Sequence, residues 1–487
     1  MERVLAPSAL LVLAPLVAGP LHGAPQDGAA DEPELRVERI QARDKTEVLA
    51  EYGTLEVPEN RSDPESRRIT LAYLRVRSKL EQPGPPVFVL AGGPGGSSIR
   101  KVKYCLENGG TWYVDLLGGD VVAIDQRGVG LSEPNLETDA RYELPLDVPG
   151  DPEEHLKRIR EVCREEAARW RAKGVDLAGY TTVESADDID AVRRALGYDS
   201  ISLWGESYGT HLAMATLRRH GEHVARLLLF GPEGPDHTLK LPSYAEEGLA
   251  RIGALAAADP KLGPLVPDLV GLVREVLDKL DDEPVYVDVD GERVGISRFD
   301  VQMLLAYGIG TMSGSGDQVP ARVLEMAAGD FEAFGRELLK ERQDGGVWSA
   351  MQMMMDCASG ATEERTRRIA KEAETCLLGD AVNFPFGHVA DAWDAPDLGD
   401  AFRGPLRSDA PVLFVVGDLD SRTPIRNAEE LMEGLPNAQL LVVGNAGHGD
   451  VNWLAPDLRA AWSAFLHGEE VETTRVEQPK PTFELPR

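Results

Sequence analysis

Residues 201–217 decide the fold, and they carry the sequence ISLWGESYGTHLAMATL. The apolar run at 201–204 predicts a buried strand, and residues 210–217 predict a helix. Glycines two residues before and two residues after Ser207 allow a sharp turn between the two elements. Such a turn presents a serine hydroxyl at the start of the helix. Ser207 is therefore a candidate nucleophile, and the simpler alternative is a tight turn with a capping serine.

A second strand end supplies a candidate general base. A serine hydroxyl is a weak nucleophile until a neighbouring base takes its proton, and a buried carboxylate usually orients that base. The predicted strand at 439–443 leads into Gly-Asn-Ala-Gly-His-Gly at 444–449. Active sites of open α/β sheets lie at the carboxyl ends of the strands. His448 is therefore the candidate base.

The carboxylate that would orient His448 has two candidates. The predicted strand at 411–416 ends in Gly-Asp-Leu-Asp, which places Asp418 and Asp420 just past a strand end. This position, between the serine and the histidine in chain order, suits the acid of such a site. Spacing alone leaves the two aspartates as equal candidates.

A glycine-rich turn at 91–98, with the sequence AGGPGGSS, follows a predicted strand at 87–90. Cleavage of an acyl bond needs two N–H groups aimed at the developing oxyanion. We expect one from Tyr208, which follows the nucleophile, and one from Gly93. The rival interpretation is a phosphate-binding loop, but no Gly-Lys-Ser/Thr follows the glycines.

Together these segments resemble the proline iminopeptidase and tripeptidyl aminopeptidase family of α/β-hydrolases. The resemblance covers about 50–230 and 405–465, in family order. It rests on the elbow at 205–209 and on the segments YGTLEVPEN (52–60), GGPGG (92–96), DQRGVGLS (125–132), GDLDSRTP (417–424) and AGHG (446–449). The resemblance implies a mostly parallel sheet with helices on both faces and an inserted, mainly helical lid. It also implies that the acid is the third residue after the glycine, which selects Asp420.

The resemblance further suggests two substrate-binding carboxylates. Family members hold a substrate's free amine on acidic lid residues, often a glutamate soon after a lid cysteine. This chain departs from that pattern, because Ala-Ser-Gly follows Cys357 and the nearby acidic residue, Asp356, precedes it. The elbow also resembles that of serine carboxypeptidases, in which the glutamate before the serine helps to bind the substrate's terminal carboxylate. Glu206 is therefore a candidate, and the alternative is a carboxylate bonded beneath the turn.

Composition and patterning divide the chain into five parts. Helical periodicity over 235–400 predicts the lid, and the ends lack periodicity. The predicted parts are a signal peptide and flexible start (1–30), the first part of the core (31–234), the lid (235–400), the second part of the core (401–470) and a flexible tail (471–487).

The first residues and the cysteines predict export. The apolar run at 4–18 follows Arg3 and is too short to span a membrane comfortably, which is typical of a signal peptide. We expect a mature start between residues 24 and 31 and a periplasmic or secreted protein; the alternative is a disordered apolar start on a cytosolic protein. The four cysteines lack metal-binding spacing, and in an oxidising compartment they predict two disulfides. The expected pairs are Cys357 with Cys376, both in the lid, and Cys105 with Cys163.

The net charge of the chain limits the classes of binding partner that we expect. The chain has 51 Lys and Arg against 82 Asp and Glu, a net charge of −31, which argues against nucleic acid and anionic membranes. We expect an exported serine hydrolase that cleaves peptides near their amino terminus without cofactor or metal, and whose mature chain does not enter the membrane. The alternatives are a serine carboxypeptidase, a carboxylic-ester hydrolase and a catalytically silent binding protein.

Overall fold

The computed structural model describes residues 36–486, so the predicted signal peptide lies outside the described residues. The described chain is built on one large sheet and one small hairpin. The strands are β1 (Arg36–Gln41), β2 (Glu47–Pro58), β3 (Arg68–Val76), β4 (Val87–Leu90), β5 (Val121–Asp125), β6 (Ile201–Glu206), β7 (Val224–Phe230), β8 (Val285–Val289), β9 (Glu292–Ile296), β10 (Val412–Gly417), β11 (Ala438–Gly444) and β12 (Arg475–Glu477).

The large sheet has the order β1-β2-β3-β5-β4-β6-β7-β10-β11-β12. Strands β1, β2 and β3 pair antiparallel, and β3 joins β5 antiparallel. From β5 to β12 every pairing is parallel. All residues of β4, β5 and β10 are buried, as expected for parallel strands covered on both faces.

Helices cover both faces of this sheet, as predicted. Outside the segment between β7 and β10 they are α1 (Ser98–Gly109), α2 (Trp112–Leu117), α3 (Pro152–Ala172), α4 (Thr182–Ala195), α5 (Tyr208–His220), α15 (Ile425–Met432) and α16 (Pro456–His467). One hydrophobic core packs α3, α4 and α5 on one face, and a second packs α1, α2 and α16 on the other. Successive residues of β4 alternate between these two cores, which fixes the strand's register.

Between β7 and β10, which are neighbours in the sheet, the chain leaves the sheet for residues 231–411, here called the inserted region. It contains the β8–β9 hairpin and the helices α6 (Pro242–Ala258), α7 (Leu269–Asp282), α8 (Arg298–Gly308), α9 (Val319–Ala327), α10 (Glu332–Asp344), α11 (Ala350–Ser359), α12 (Glu363–Ala373), α13 (Ala390–Trp393) and α14 (Gly399–Arg403). Helices α6 to α10 share a hydrophobic core of their own with the hairpin. The boundaries predicted at 235 and 400, and the action of this region as a lid, remain predictions.

No helix within residues 36–486 combines the length and apolar character that a membrane span requires.

Arg127, in the Asp-Gln-Arg motif at the end of β5, links several parts of the fold by hydrogen bonds. The side chain of Arg127 is fully buried, and its Nε and Nη2 donate to the Asp188 carboxylate of α4 at 2.8 and 2.7 Å. Its Nη1 donates to the carbonyls of Glu59 and Gly179, both at 2.5 Å. Arg61 also donates to Oδ1 of Asp188, at 2.6 Å. One guanidinium therefore joins β2, β5 and α4 beneath the carboxyl edge of the sheet.

We expect Arg127→Ala to lower the free energy of unfolding by about 3 kcal/mol, because it removes two donors of the buried Asp188 carboxylate and the donor to the carbonyls of Glu59 and Gly179. Urea unfolding followed by circular dichroism measures the change. Arg39, whose exposed side chain also pairs with a glutamate, supplies the control: Arg39→Ala should leave the midpoint almost unchanged. Equal effects of the two substitutions would contradict the structural role of Arg127.

Candidate active site

Ser207 occupies a strained turn between β6 and α5. Its φ is 51° and its ψ is −124°, a conformation that costs free energy for a residue with a side chain. Its N–H donates to the carbonyl of Phe230 at 2.9 Å. The N–H and hydroxyl of Thr210 donate to its carbonyl at 2.8 and 2.6 Å. The Ser207 side chain accepts no capping hydrogen bond from α5, so the turn does not use it as a helix cap.

The two elbow glycines are required by close backbone contacts. A Cβ on Gly205 would lie 2.6 Å from the carbonyl oxygen of Gly209, and a Cβ on Gly209 would lie 2.2 Å from that of Leu90. A Cβ on Gly92 would lie 3.0 Å from the Cβ of Ser207. The elbow therefore packs directly on the glycine-rich turn that follows β4.

The predicted oxyanion donors lie on the two sides of this contact. Gly93 follows Gly92, has a φ of 123° and lines the same cavity as Ser207. Tyr208 is the first residue of α5, and its ring is buried in the core beneath the sheet edge. Their role as oxyanion donors remains a prediction.

His448 and Asp420 meet at the carboxyl ends of β11 and β10. The Asp420 carboxylate is buried, and its Oδ2 lies 2.8 Å from Nδ1 of His448. The N–H groups of Arg422 and Thr423 donate to Oδ1 at 2.9 and 2.8 Å, and the Thr423 hydroxyl donates to Oδ2 at 2.7 Å. These bonds fix the carboxylate. A proton on Nδ1 that is directed at Asp420 leaves Nε2 of His448 free to accept one from a nucleophile.

Asp418 lies on the other side of the same loop. Its carboxylate accepts from the N–H of Asn445 at 2.7 Å and from Arg475 of β12 at 2.6 Å. It therefore ties β10 to β11 and β12. The structure places Asp420, and not Asp418, against the imidazole.

Several of the predicted site residues line one cavity of about 680 Å³. Ser207, Gly93, Asp420 and His448 line it from the sheet side. The inserted region lines the opposite side with apolar, polar and charged side chains, among them Tyr307, Thr311, Trp348, Gln352, Asp356 and Phe386. The rings of Trp348 and Phe386 pack with centroids 4.8 Å apart, which forms an aromatic wall. A peptide in this cavity would contact both the sheet edge and the inserted region.

Glu206 lines this cavity, but its charge is compensated. Its carboxylate forms an ion pair with the Lys101 ammonium and accepts from Nε1 of Trp204 at 3.0 Å. The Lys101 ammonium lies 5.0 Å from the ring centroid of Trp453, a cation–π contact. Glu206 is therefore paired with Lys101 at the cavity wall, and its part in substrate binding remains a prediction.

Asp356, at the end of α11, has a different environment. Burial raises the pKa of this carboxyl well above its usual range, the nearby Glu233 raises it further, and Lys240 acts in the opposite direction. The Glu233 carboxylate itself accepts from the Lys240 ammonium at 2.6 Å. Sequence analysis missed Glu233 and Lys240, although Glu233 lies three residues past the end of β7, a position typical of site residues in such sheets.

The predicted disulfides are wrong: Cys105, Cys163, Cys357 and Cys376 are all free thiols in the structure. Cys105 and Cys163 belong to the cores on opposite faces of the sheet, so the sheet separates them. Burial, with Asp356 and Cys163 nearby, raises the pKa of the Cys357 thiol. Burial raises the pKa of Cys376 to about 12, and Glu246 next to the thiol adds to this shift. The two lid cysteines therefore have different neighbours, although they are close in sequence.

Comparisons with known proteins agree with this architecture. A family model described as the alpha/beta hydrolase fold matches residues 85–452. Tripeptidyl aminopeptidase of Streptomyces lividans is 31% identical over 184 residues, which cover 36% of this chain and 34% of that protein. Serine protease Hip1 of Mycobacterium tuberculosis is 28% identical over 197 residues, which cover 38% of this chain and 36% of that protein. The chain thus spans about a third of the length of these curated relatives.

Among solved structures, a proline iminopeptidase of Mycobacterium smegmatis covers 85% of this chain and 98% of its own, with 17% identity and a TM-score of 0.39. No functional argument rests on a likeness at that level.

The mostly parallel sheet, the helices on both faces and the family match confirm the predicted α/β-hydrolase fold, whereas the lid remains a prediction. The matches to tripeptidyl aminopeptidase and Hip1 confirm the predicted resemblance. The family model matches more than half of the chain. This chain belongs to the family of proteins with the alpha/beta hydrolase fold.

Proposed function

We propose that this protein is an exported serine peptidase that cleaves peptides near a free amino terminus. The observation that carries the proposal is the bond between buried Asp420 and Nδ1 of His448, in the cavity that Ser207 lines on its strained turn. An orienting carboxylate, a base and a nucleophile on a strand-to-helix elbow are the parts of a serine hydrolase. The names of the matched relatives, a tripeptidyl aminopeptidase and a serine protease, support peptide bonds as the substrate.

The chemistry follows from these positions. Ser207 Oγ attacks the scissile carbonyl carbon while Nε2 of His448 takes its proton, and the carbonyl oxygen becomes an oxyanion. The N–H groups of Gly93 and Tyr208 donate to that oxyanion. His448 then gives the proton to the leaving amine as the C–N bond breaks. Water repeats the sequence on the acyl-enzyme and regenerates the serine.

The charges in the cavity favour an aminopeptidase over a carboxypeptidase. Glu206 is neutralised by Lys101, and Glu233 is paired with Lys240. Asp356 has no ion pair among the described residues, and burial disfavours its charged form. A substrate ammonium group beside Asp356 would restore the carboxylate and pair with it. Asp356 is therefore the proposed anchor for the free amine, with Glu233 beside it.

The export part of the proposal rests on the apolar run at residues 4–18. Its test is the amino-terminal sequence of protein recovered outside the cytoplasm, which should begin between residues 24 and 31. A chain recovered there that retains Met1 would contradict it.

We expect Ser207→Ala to keep the fold and lose covalent labelling by a fluorophosphonate, because the attacking oxygen is removed. Intact-mass analysis detects the adduct, and circular dichroism checks the fold. Turnover of peptide amides should fall to a low residual level that the oxyanion donors and substrate binding sustain. Full labelling of the variant would show that another residue is the nucleophile.

We expect Asp420→Asn to lower kcat by about 10⁴-fold, because an amide at this position favours the wrong tautomer of His448. Asp418→Asn is the matched control, since it changes a carboxylate of the same loop that bonds Arg475 instead of the imidazole. It should cost far less. Steady-state kinetics on one peptide amide decide the ranking, and the reverse order in folded variants would assign the acid to Asp418.

Asp356→Asn should raise KM for peptides with a free amine and leave the turnover of amino-terminally acetylated peptides almost unchanged. Burial raises the pKa of Asp356 in the folded chain, so this group destabilises the fold increasingly as pH rises above the ordinary pKa of an aspartate carboxyl. The variant should therefore melt at a higher temperature than the wild type at pH 7, and this gain should disappear on acidification.

The exposed Asp400→Asn is the control for charge removal, and it should change neither KM nor the pH dependence of melting. An unchanged KM in Asp356→Asn would remove Asp356 from substrate binding. A preference for blocked amino termini and free carboxyl termini in the wild type would instead favour the carboxypeptidase, and turnover of p-nitrophenyl esters without any peptide amide would favour the ester hydrolase.

A further inference from the structure

Asp450, two residues after His448, collects three backbone N–H groups from two separate parts of the chain. Its Oδ2 accepts from Met312 at 2.7 Å and from Gly447 at 2.9 Å, and its Oδ1 accepts from Ser313 at 3.1 Å. Gly447 belongs to the loop that carries His448, whereas Met312 and Ser313 belong to the inserted region. One carboxylate therefore joins the histidine loop to the inserted region.

A second contact between the same two segments involves His448 itself. The N–H of His448 donates to the carbonyl of Gly310 at 2.8 Å. The fit is close, since a Cβ on Gly447 would lie 2.5 Å from Oδ2 of Asp450 and 3.0 Å from the Gly310 oxygen. Thr311, between the two contacts, lines the cavity together with His448. The position of the imidazole thus depends on where residues 310–313 lie.

Residues 310–313 are not held by a regular helix. The turn at Met312–Gly316 contains non-helical residues, with a ψ of 113° at Ser313 and a φ of 78° at Gly314. Backbone N–H groups in an irregular turn need acceptors from elsewhere. The Asp450 carboxylate supplies these acceptors. Asp450 is itself held in place, because the side-chain amide of Gln478 donates to its backbone carbonyl at 2.9 Å.

We propose that Asp450 is a positioning residue for the reaction: it locks the His448 loop to residues 310–313 of the inserted region and so sets the imidazole for proton transfer from Ser207. The proposal rests on the proposed function, in which His448 is the base. An asparagine at this position keeps the shape but replaces one acceptor oxygen with a donor group that faces N–H groups. Asp450→Asn must therefore lose at least one of the three bonds.

We expect Asp450→Asn to lower kcat on the order of 10- to 100-fold, since a small misplacement of a reacting group has this effect. KM should be almost unchanged, because the substrate-binding side chains stay in place. The rate of fluorophosphonate labelling should fall in parallel. Asp418→Asn is again the matched control, because its carboxylate also accepts a backbone N–H at this edge of the sheet, from Asn445. The bond of Asp418 with the inserted region, donated by Arg251, goes to the backbone carbonyl, which the substitution keeps.

A double-mutant cycle separates positioning from general damage. In an Asp420→Asn background His448 has already lost its orientation, so a second loss of orientation by Asp450→Asn should cost little further activity. If the losses of kcat in the two single variants multiply in full in the double variant, Asp450 does not act through His448 and the proposal is overturned. The proposal is also overturned if kcat of Asp450→Asn equals that of the wild type. Where the asparagine variant does not fold, Asp450→Ser, which keeps one small acceptor, is measured in the same cycle with the same expectation.

Failure of the proposed function is distinguishable from failure of this inference. A wild-type protein that neither reacts with the fluorophosphonate nor cleaves peptides removes the premise. An active wild type with an unaffected Asp450 variant removes the positioning role alone.

Discussion

The contact between the elbow and the turn after β4 is the constraint on which the site depends. Ser207 keeps a φ of 51° because its backbone N–H and C=O are both bonded and the glycines around it pack against neighbouring backbone. A side chain on Gly205 would clash with the Gly209 carbonyl within the elbow, and a side chain on Gly209 would push the elbow away from Leu90 of β4. The same packing places the glycine-rich turn beside the serine, so the strained turn and the proposed oxyanion donors form one unit. The strain is offset by the surrounding sheet, in which β4, β5 and β10 are fully buried.

Charge in the cavity is distributed unevenly. The carboxylates of Glu206 and Glu233 each have a lysine partner, and Asp420 is held by His448 and by three donors of its own loop. Asp356 has no ion pair among the described residues, and burial raises the pKa of its carboxyl well above its usual range. In the proposed function, a cationic group of the substrate pairs with this carboxyl. This asymmetry distinguishes the amine-binding proposal from a general attraction of cations to a chain with a net charge of −31.

The inserted region contributes to the site in two ways. It supplies side chains to the cavity, including the aromatic wall of Trp348 and Phe386. It also contacts the histidine loop through Asp450 and Gly310, so it contributes to catalytic geometry as well as to recognition. In the proposed function, the first contribution sets what binds, and the second positions His448 for proton transfer.

The sequence by itself determined the features that depend on local backbone geometry. The elbow, the strand ends and the glycine-rich turn each have a short pattern that dictates its conformation, which is why Ser207, His448 and Gly93 could be predicted as site residues. The structure places all three at one cavity. Spacing did not separate Asp418 from Asp420, because both follow the same strand. The family resemblance selected Asp420, and the tertiary structure places that carboxylate against the imidazole, whereas β12, from a distant part of the chain, supplies Arg475 to Asp418.

Other features depended wholly on long-range packing. The disulfides predicted from the order of the cysteines in the sequence are wrong, because thiols pair only where the fold brings them together. The sheet, for example, separates Cys105 from Cys163. The ion pair of Glu206 with Lys101 and the contacts of Asp450 with Met312 and Ser313 likewise join residues that are distant in sequence. Local backbone geometry is determined by neighbouring residues, whereas the partners of a buried charge depend on which distant segments the folded core brings beside it.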